Sequence, residues 1–406
     1  MKHVKYYTLL LATAFTLQAW GQAPEAENRY RRLSLCNIMI KHSGEKYADE
    51  METQFLQIPV SDQYNDHNLS VRVINHSGKK AVESEVNAFV ADNVMASRLI
   101  GRWFNRDKFT GGCDMELVKS RGYYDASAFD HELASRSARG KAMLEDAGED
   151  LIGNTYLLMH DFTYVNKAER SRTWAAIGSA LMGGLMAAGG ASSSDVNSVM
   201  KNTSDIISSY KGFSVKITTY LYRLVWDEAS SIDFYTNYYS DGEDAAKNTA
   251  FDGNRGKFRL EYVGSVVSKG GRTSFMGINE EKPELMIRKA CQRALDENVA
   301  DLQKKYDQFR IKAPVMVSEK GMITSQIGLK EGITPESKFE VLEAQEKDGK
   351  MVYKRVAVVK AMPGRIWDNR YMASEEMAYG ADFGATAFKK VSGGEILSGH
   401  LLRQID

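Results

Sequence analysis

The sequence predicts an α/β protein in which a mixed sheet with helices forms the N-terminal domain, followed by a small all-β, partly closed barrel. Strand-like and helix-like apolar patterns alternate up to about residue 312. Beyond Pro314 short strands are separated by turn signals such as the Lys-Asp-Gly-Lys at 347–350. The chain has 406 residues, 43% hydrophobic and 26% charged, which is typical of a folded protein of more than one domain.

The first 21 residues have the pattern of a secretory signal peptide. Two lysines precede an apolar run at 6–17, and the small residues Ala19 and Gly21 occupy the −3 and −1 positions of a cleavage site before Gln22. The apolar run is shorter than the about 20 residues of a membrane-spanning helix. We therefore expect residues 1–21 to be removed and the protein to be exported, as a periplasmic or outer-membrane-associated protein.

The N-terminal domain, residues 28–312, is predicted from its hydrophobic periodicity. Apolar runs and period-2 alternation indicate strands, whereas apolar residues three or four apart indicate helices. The predicted elements, in chain order, are a strand at 33–40, a helix at 47–58, a strand at 69–73, a helix at 81–105, a short strand at 115–118, a helical stretch at 129–146, a strand at 153–165, a hairpin of strands at 213–226 and 232–239, a strand at 258–266 and a long helix at 287–309.

The C-terminal domain, residues 313–406, shows little helical periodicity. Its predicted strands lie at 315–317, 322–327, 339–343, 351–360, 387–391 and 400–405. About ninety residues with several short strands favour a small barrel.

An insertion at about 170–211 interrupts the N-terminal domain with small and apolar residues. Within it, Ser179 and Gly183, and then Gly184 and Ala188, repeat small residues every four positions. Such spacing lets helices approach closely, also inside membranes. Because glycines weaken a helix, we interpret the segment as a peripheral insertion or a packed hairpin helix. Membrane contact or oligomer packing through these four residues is the alternative.

Aromatic residues are dense at 220–239. On alternating strands half of them should face the core, and an exposed half would form a platform for a partner. The candidate platform residues are Tyr220, Tyr222, Tyr235 and Tyr239. Core packing is the favoured interpretation, since aromatic residues are good strand formers.

Signatures of catalysis and of metal binding are absent from the sequence. The seven histidines show no ligand spacing, and no nucleophile or phosphate-loop motif occurs. His160 and Asp161 end a predicted strand, where a general base of a hydrolase could sit. Cys36, Cys113 and Cys291 lie in apolar patterns and are predicted to be buried free thiols, although an exported protein could pair two of them. We predict no catalytic residue, no cofactor and no metal ligand.

The order of elements resembles that of a known group of envelope proteins. The helix at 81–105, the short strand Met-Glu-Leu-Val-Lys-Ser at 115–120 and the strand Gly-Asn-Thr-Tyr-Leu-Leu-Met at 153–159 are similar to the α/β unit of the bacterial curli-secretion-channel family and its Tol-system N-terminal and flagellar-assembly relatives. The segment at 322–343, with its glycine-centred turns and Phe-x-Val strand, resembles the small C-terminal barrel of the flagellar-assembly relatives. The resemblance implies an assembly role and brings no catalytic residues.

Charge and motifs together suggest a binding protein. The 53 basic and 53 acidic residues balance, so the clustered excess of base that a nucleic-acid partner requires is not indicated. We expect a non-enzymatic cell-envelope binding or assembly protein acting through contacts with other envelope proteins. The alternatives are a subunit of an oligomeric secretion channel or pore, and an unrecognised hydrolase centred on His160 and Asp161.

Overall fold

The computed structural model describes residues 30–126, 128–136, 141–165, 214–270, 283–347, 350–373 and 383–405. Residues 1–21, which are predicted to be a signal peptide, and the insertion with Ser179, Gly183, Gly184 and Ala188 lie outside the described residues. Within the described residues, every strand before residue 271 belongs to one mixed sheet, and every strand from Ala313 onwards belongs to a second, antiparallel sheet. The predicted fold class, α/β followed by a partly closed barrel, is confirmed.

The first sheet is built around a central parallel pair of strands. Its strands are β1 (Ser34–Lys41), β2 (Asn65–Asp66), β3 (Val73–Asn75), β4 (Thr155–Tyr164), β5 (Val215–Leu224) and β6 (Leu260–Gly270). β1 pairs in parallel with β2, β3 and β4, whereas β4, β5 and β6 pair in antiparallel fashion. β1 and β4 are buried along most of their lengths, which explains why they appear as continuous apolar runs in the sequence.

Helices cover both faces of this sheet. They are α1 (Ala48–Gln57), α2 (Val82–Asp92), α3 (Met95–Trp103), α4 (Glu116–Tyr124), α5 (Ala128–Arg136), α6 (Lys141–Ile152), α7 (Glu228–Asn237), α8 (Ala245–Gly253) and α9 (Pro283–Lys305). One apolar core joins α1 and α9 to the sheet through Met51, Phe55 and Cys291, among others. A second core on the opposite face includes Leu99 and Trp103 of α3. Among the described helices, none is both long and apolar enough to cross a membrane.

Four predicted elements differ in the structure, and three of them lie before residue 120. The helix predicted at 81–105 is divided into α2 and α3, because Val94 adopts a left-handed conformation with φ of 44°. The strand predicted at 115–118 is wrong, since the segment begins α4. Only Val73 of the strand predicted at 69–73 belongs to a strand, β3.

The hairpin partner predicted at 232–239 is also wrong. Asp227 caps a helix there, because its side chain accepts a hydrogen bond from the Ser230 backbone N–H at 2.8 Å. The antiparallel partner of β5 is instead β6. Tyr235 therefore lies within α7, and Tyr239 lies two residues after the end of this helix.

The second sheet is antiparallel, and its two edge strands are neighbours in the sequence. Its strands are β7 (Ala313–Pro314), β8 (Met316–Val317), β9 (Ile323–Ser325), β10 (Lys338–Lys347), β11 (Lys350–Ala361), β12 (Thr386–Gly393) and β13 (Leu401–Gln404). Their order in the sheet is β7-β13-β10-β11-β12-β9-β8. The two edge strands are consecutive in the chain, with only Val315 between them, so the edges meet and form a nearly closed barrel.

The three cysteines are buried and free. Burial raises the pKa of the Cys36 thiol to about 11 and that of the Cys291 thiol to about 12, which keeps both in the unreactive thiol form. The prediction of buried free thiols is confirmed.

Candidate binding cleft between the sheet and the barrel

His160 and Asp161 lie on opposite faces of the first sheet, because successive side chains of a strand alternate. His160 is fully buried, with Nδ1 2.7 Å from Thr219 Oγ1 and Nε2 3.0 Å from Asn37 Oδ1. Burial lowers its pKa to about 3. The hydrolase hypothesis required one pocket that contains both side chains, and this geometry does not provide it.

The partner of Asp161 is a histidine that the sequence did not single out. His42 follows β1, and its Nε2 lies 2.5 Å from Asp161 Oδ1. Its ring lies 4.7 Å from that of His76, which follows β3 and pairs with Glu85 of α2 at 2.7 Å. Both histidines directly follow strands that run parallel to each other. A histidine immediately after a predicted strand is a feature of the sequence from which this pair could have been predicted. Among the described residues, no three metal-binding side chains come together.

The four tyrosines of the candidate platform pack into the core of the α/β domain. Tyr220 is 8% exposed and Tyr222 is 3% exposed. The hydroxyl of Tyr222 donates to Asn87 Oδ1 at 2.6 Å. Tyr235 and Tyr239 are half-buried against the same core, and the Tyr235 hydroxyl lies 3.0 Å from Glu149 Oε1. An exposed aromatic platform is therefore not formed by these four residues, and the core-packing interpretation holds.

A cleft opens where the α/β domain meets the barrel, and it consists of two adjoining cavities. The inner cavity, of about 40 Å³, lies between α9, the segment at 58–64 that follows α1, and the barrel turn at 330–331. The outer cavity, of about 270 Å³, lies between that segment and the barrel. Both cavities are lined by Ser61, Gln63, Lys330 and Glu331. At the rim, Gln63 Nε2 donates to the Gln326 carbonyl at 3.3 Å and joins the two domains.

Asp296 of α9 lines the inner cavity. The residue is half-buried, but its Oδ2 atom is fully buried and has no hydrogen-bond partner among the described residues. Burial raises the pKa of this carboxyl to about 7, and Glu331 adds to the rise, against the opposing effects of Lys330 and Arg293. A buried polar atom without a partner is uncommon in folded proteins, so Asp296 marks this cavity as a candidate site.

Glu331 lines the same cavities but differs from Asp296 in its hydrogen bonding. Its Oε2 atom accepts hydrogen bonds from the Gly328 backbone N–H at 2.6 Å and from Asn369 Nδ2 at 2.8 Å. Asn369 in turn accepts a hydrogen bond from the Lys330 backbone N–H at 2.8 Å. This network holds the barrel wall of the cleft in one arrangement. Oδ2 of Asp296, by contrast, accepts no hydrogen bond from the described residues.

The aromatic and charged lining of the outer cavity completes the cleft. Trp367 and Tyr30 line it beside Met316. Four charged residues line the two cavities among the described residues: Asp62, Asp296, Lys330 and Glu331. The sequence missed this cleft, because Asp296 belongs to an ordinary amphipathic helix and its neighbours come from three distant segments. A comparison with known families finds no family model that matches, and a search of curated proteins finds no match.

Proposed function

We propose that the protein is an exported, non-enzymatic binding or assembly component of the cell envelope that acts through contacts with other proteins. The observation that carries the proposal is the cleft between the α/β domain and the barrel. Both domains contribute to its walls, and its lining combines aromatic, amide and charged groups of the kind found in recognition sites. We do not propose a hydrolase, because His160 and Asp161 lie on opposite faces of the sheet and have different hydrogen-bond partners.

Export and partner binding are tested together in the expressing cell. A photo-cross-linking residue is placed at the exposed position Gln326, on the rim of the cleft, and the matched control carries it at the exposed position Glu228 of α7, which lines neither cavity. We expect the protein in the envelope fraction and a cross-linked partner only from Gln326.

The opposite results are equally informative. Recovery in the cytoplasmic fraction without processing of the first 21 residues would contradict export. Identical cross-linking from Gln326 and Glu228 would contradict the cleft as the binding surface.

A further inference from the structure

The charges that line the cleft favour a cationic ligand. Among the described residues of the lining, three carboxyl groups, of Asp62, Asp296 and Glu331, face one ammonium group, of Lys330. The carboxylate of Glu331 is satisfied by Gly328 and Asn369, whereas Oδ2 of Asp296 is not satisfied. A concave site with an excess of one charge raises the local concentration of groups of the opposite charge.

The two cavities differ in size in a way that suits a long basic side chain. The inner cavity of about 40 Å³ is large enough for an ammonium or guanidinium group or for a water molecule, but not for a larger ligand. The outer cavity of about 270 Å³ is slightly below the range of roughly 300–1,000 Å³ that small-molecule sites occupy. Its lining by Trp367, Tyr30 and Met316 offers apolar and aromatic surface for the aliphatic stem.

We propose that this cleft binds a lysine or arginine side chain of the partner protein, with the stem in the outer cavity and the cationic group against Asp296. This inference rests on the proposed function and adds the chemistry of the partner. The carboxyl group of Asp296, which lines the inner cavity, is the acceptor of a charge-assisted hydrogen bond from this cation.

Titration of the purified full-length protein with a short peptide measures the affinity of the cleft for a basic side chain. The probe is acetyl-Ala-Arg-Ala-amide, and its neutral isostere contains citrulline in place of arginine. At pH 8, where Asp296 is ionised, calorimetry should give binding in the millimolar range or tighter for the arginine peptide. We expect the citrulline peptide to bind at least about ten-fold more weakly.

Three variants locate the binding group. Asp296→Asn should weaken binding of the arginine peptide by about ten-fold or more. Glu297→Gln removes the same charge from the neighbouring, exposed position of α9, and it should change the affinity by less than about two-fold. Lys330→Gln removes the opposing cation, so it should strengthen binding.

Three results would overturn the inference: no binding of the arginine peptide or its lysine counterpart, equal binding of the citrulline peptide, or unchanged affinity in Asp296→Asn. If a partner is nevertheless cross-linked from Gln326, the proposed function stands without this inference. Absence of any cross-linked partner would instead contradict the proposed function itself.

Discussion

The Nε2 atom of His42 lies 2.5 Å from Oδ1 of Asp161, so this pair joins the carboxyl end of β1 to β4. The two side chains are 16% and 13% exposed, which places their bond in a region of reduced solvent screening. Both lie on the face of the sheet that α2 and α3 cover. The pair thus links the two central strands near the end of the sheet at which the parallel strands terminate.

Loss of this pair should destabilise the α/β domain. Asp161→Asn removes the charged acceptor of His42, and we expect the free energy of unfolding to fall by about 1–3 kcal/mol. Urea denaturation measures the change, and Glu319→Gln, at an exposed loop position, is the matched control with an expected effect within about 0.5 kcal/mol. A double-mutant cycle with His42→Gln should give a coupling of at least about 0.5 kcal/mol. Strict additivity would show that the two side chains do not act as a pair.

His160 should make the fold sensitive to acid. Its pKa is about 3 in the folded protein and 6.5 when unperturbed, so between these values the unfolded state binds a proton that the folded state does not. The stability contributed by His160 is therefore lost as the pH falls below 6.5, at up to about 1.4 kcal/mol per pH unit. We expect the variant His160→Asn to be less stable than wild type at pH 7 and to lack this pH dependence. The stability gap between wild type and variant should narrow from pH 7 to pH 5 in urea titrations, and a constant gap would contradict the burial of a neutral imidazole.

The sequence predicted the strands that are buried or alternate regularly. β1, β4 and β5 correspond to long apolar or alternating runs, whose length leaves little ambiguity. The barrel strands were located by the glycine-containing turns between them, because such turns constrain where a hairpin bends. In these segments local pattern and tertiary packing favour the same structure.

Strand propensity gave the wrong prediction for two segments in which a polar side chain accepts a hydrogen bond from the backbone at the start of a helix. The aromatic residues at 234–239 have high strand propensity, but Asp227 and Ser230 begin a helix before them. The strand predicted at 115–118 has four residues, which are too few to distinguish the period of a strand from that of a helix. In the structure Asp114 Oδ1 accepts a hydrogen bond from the Glu116 backbone N–H at 3.0 Å at the start of α4. The cleft could not be predicted at all, since tertiary packing brings Asp296 and Lys330 together.

The crossing of α4 and α6 depends on two glycines that the sequence pattern did not mark. A Cβ atom at Gly148 would lie 2.1 Å from the Val118 carbonyl oxygen, and one at Gly122 would lie 2.4 Å from the Leu144 carbonyl oxygen. Gly148→Ala should therefore force the helices apart and lower the free energy of unfolding by about 1–3 kcal/mol.

The matched control for this crossing is Gly253→Ala, at the end of α8. A Cβ atom there meets open space, so the substitution should be neutral or stabilise by up to about 1 kcal/mol. Urea denaturation compares the two variants with wild type. If Gly148→Ala were as stable as Gly253→Ala, the close approach of α4 and α6 would be refuted.

Asp296 should cost stability at high pH in the absence of a ligand. Its pKa is about 7 in the folded protein and 3.8 when unperturbed, so between these values the folded state binds a proton that the unfolded state does not. Stability is therefore lost as the pH rises through this range, by at most about 4 kcal/mol and less because the residue is only half-buried. Asp296→Asn should be more stable than wild type by about 1–3 kcal/mol at pH 8, and this gain should vanish near pH 4. Thermal unfolding at the two pH values measures it, and a less stable variant at pH 8 would mean that the folded protein already stabilises the ionised carboxylate.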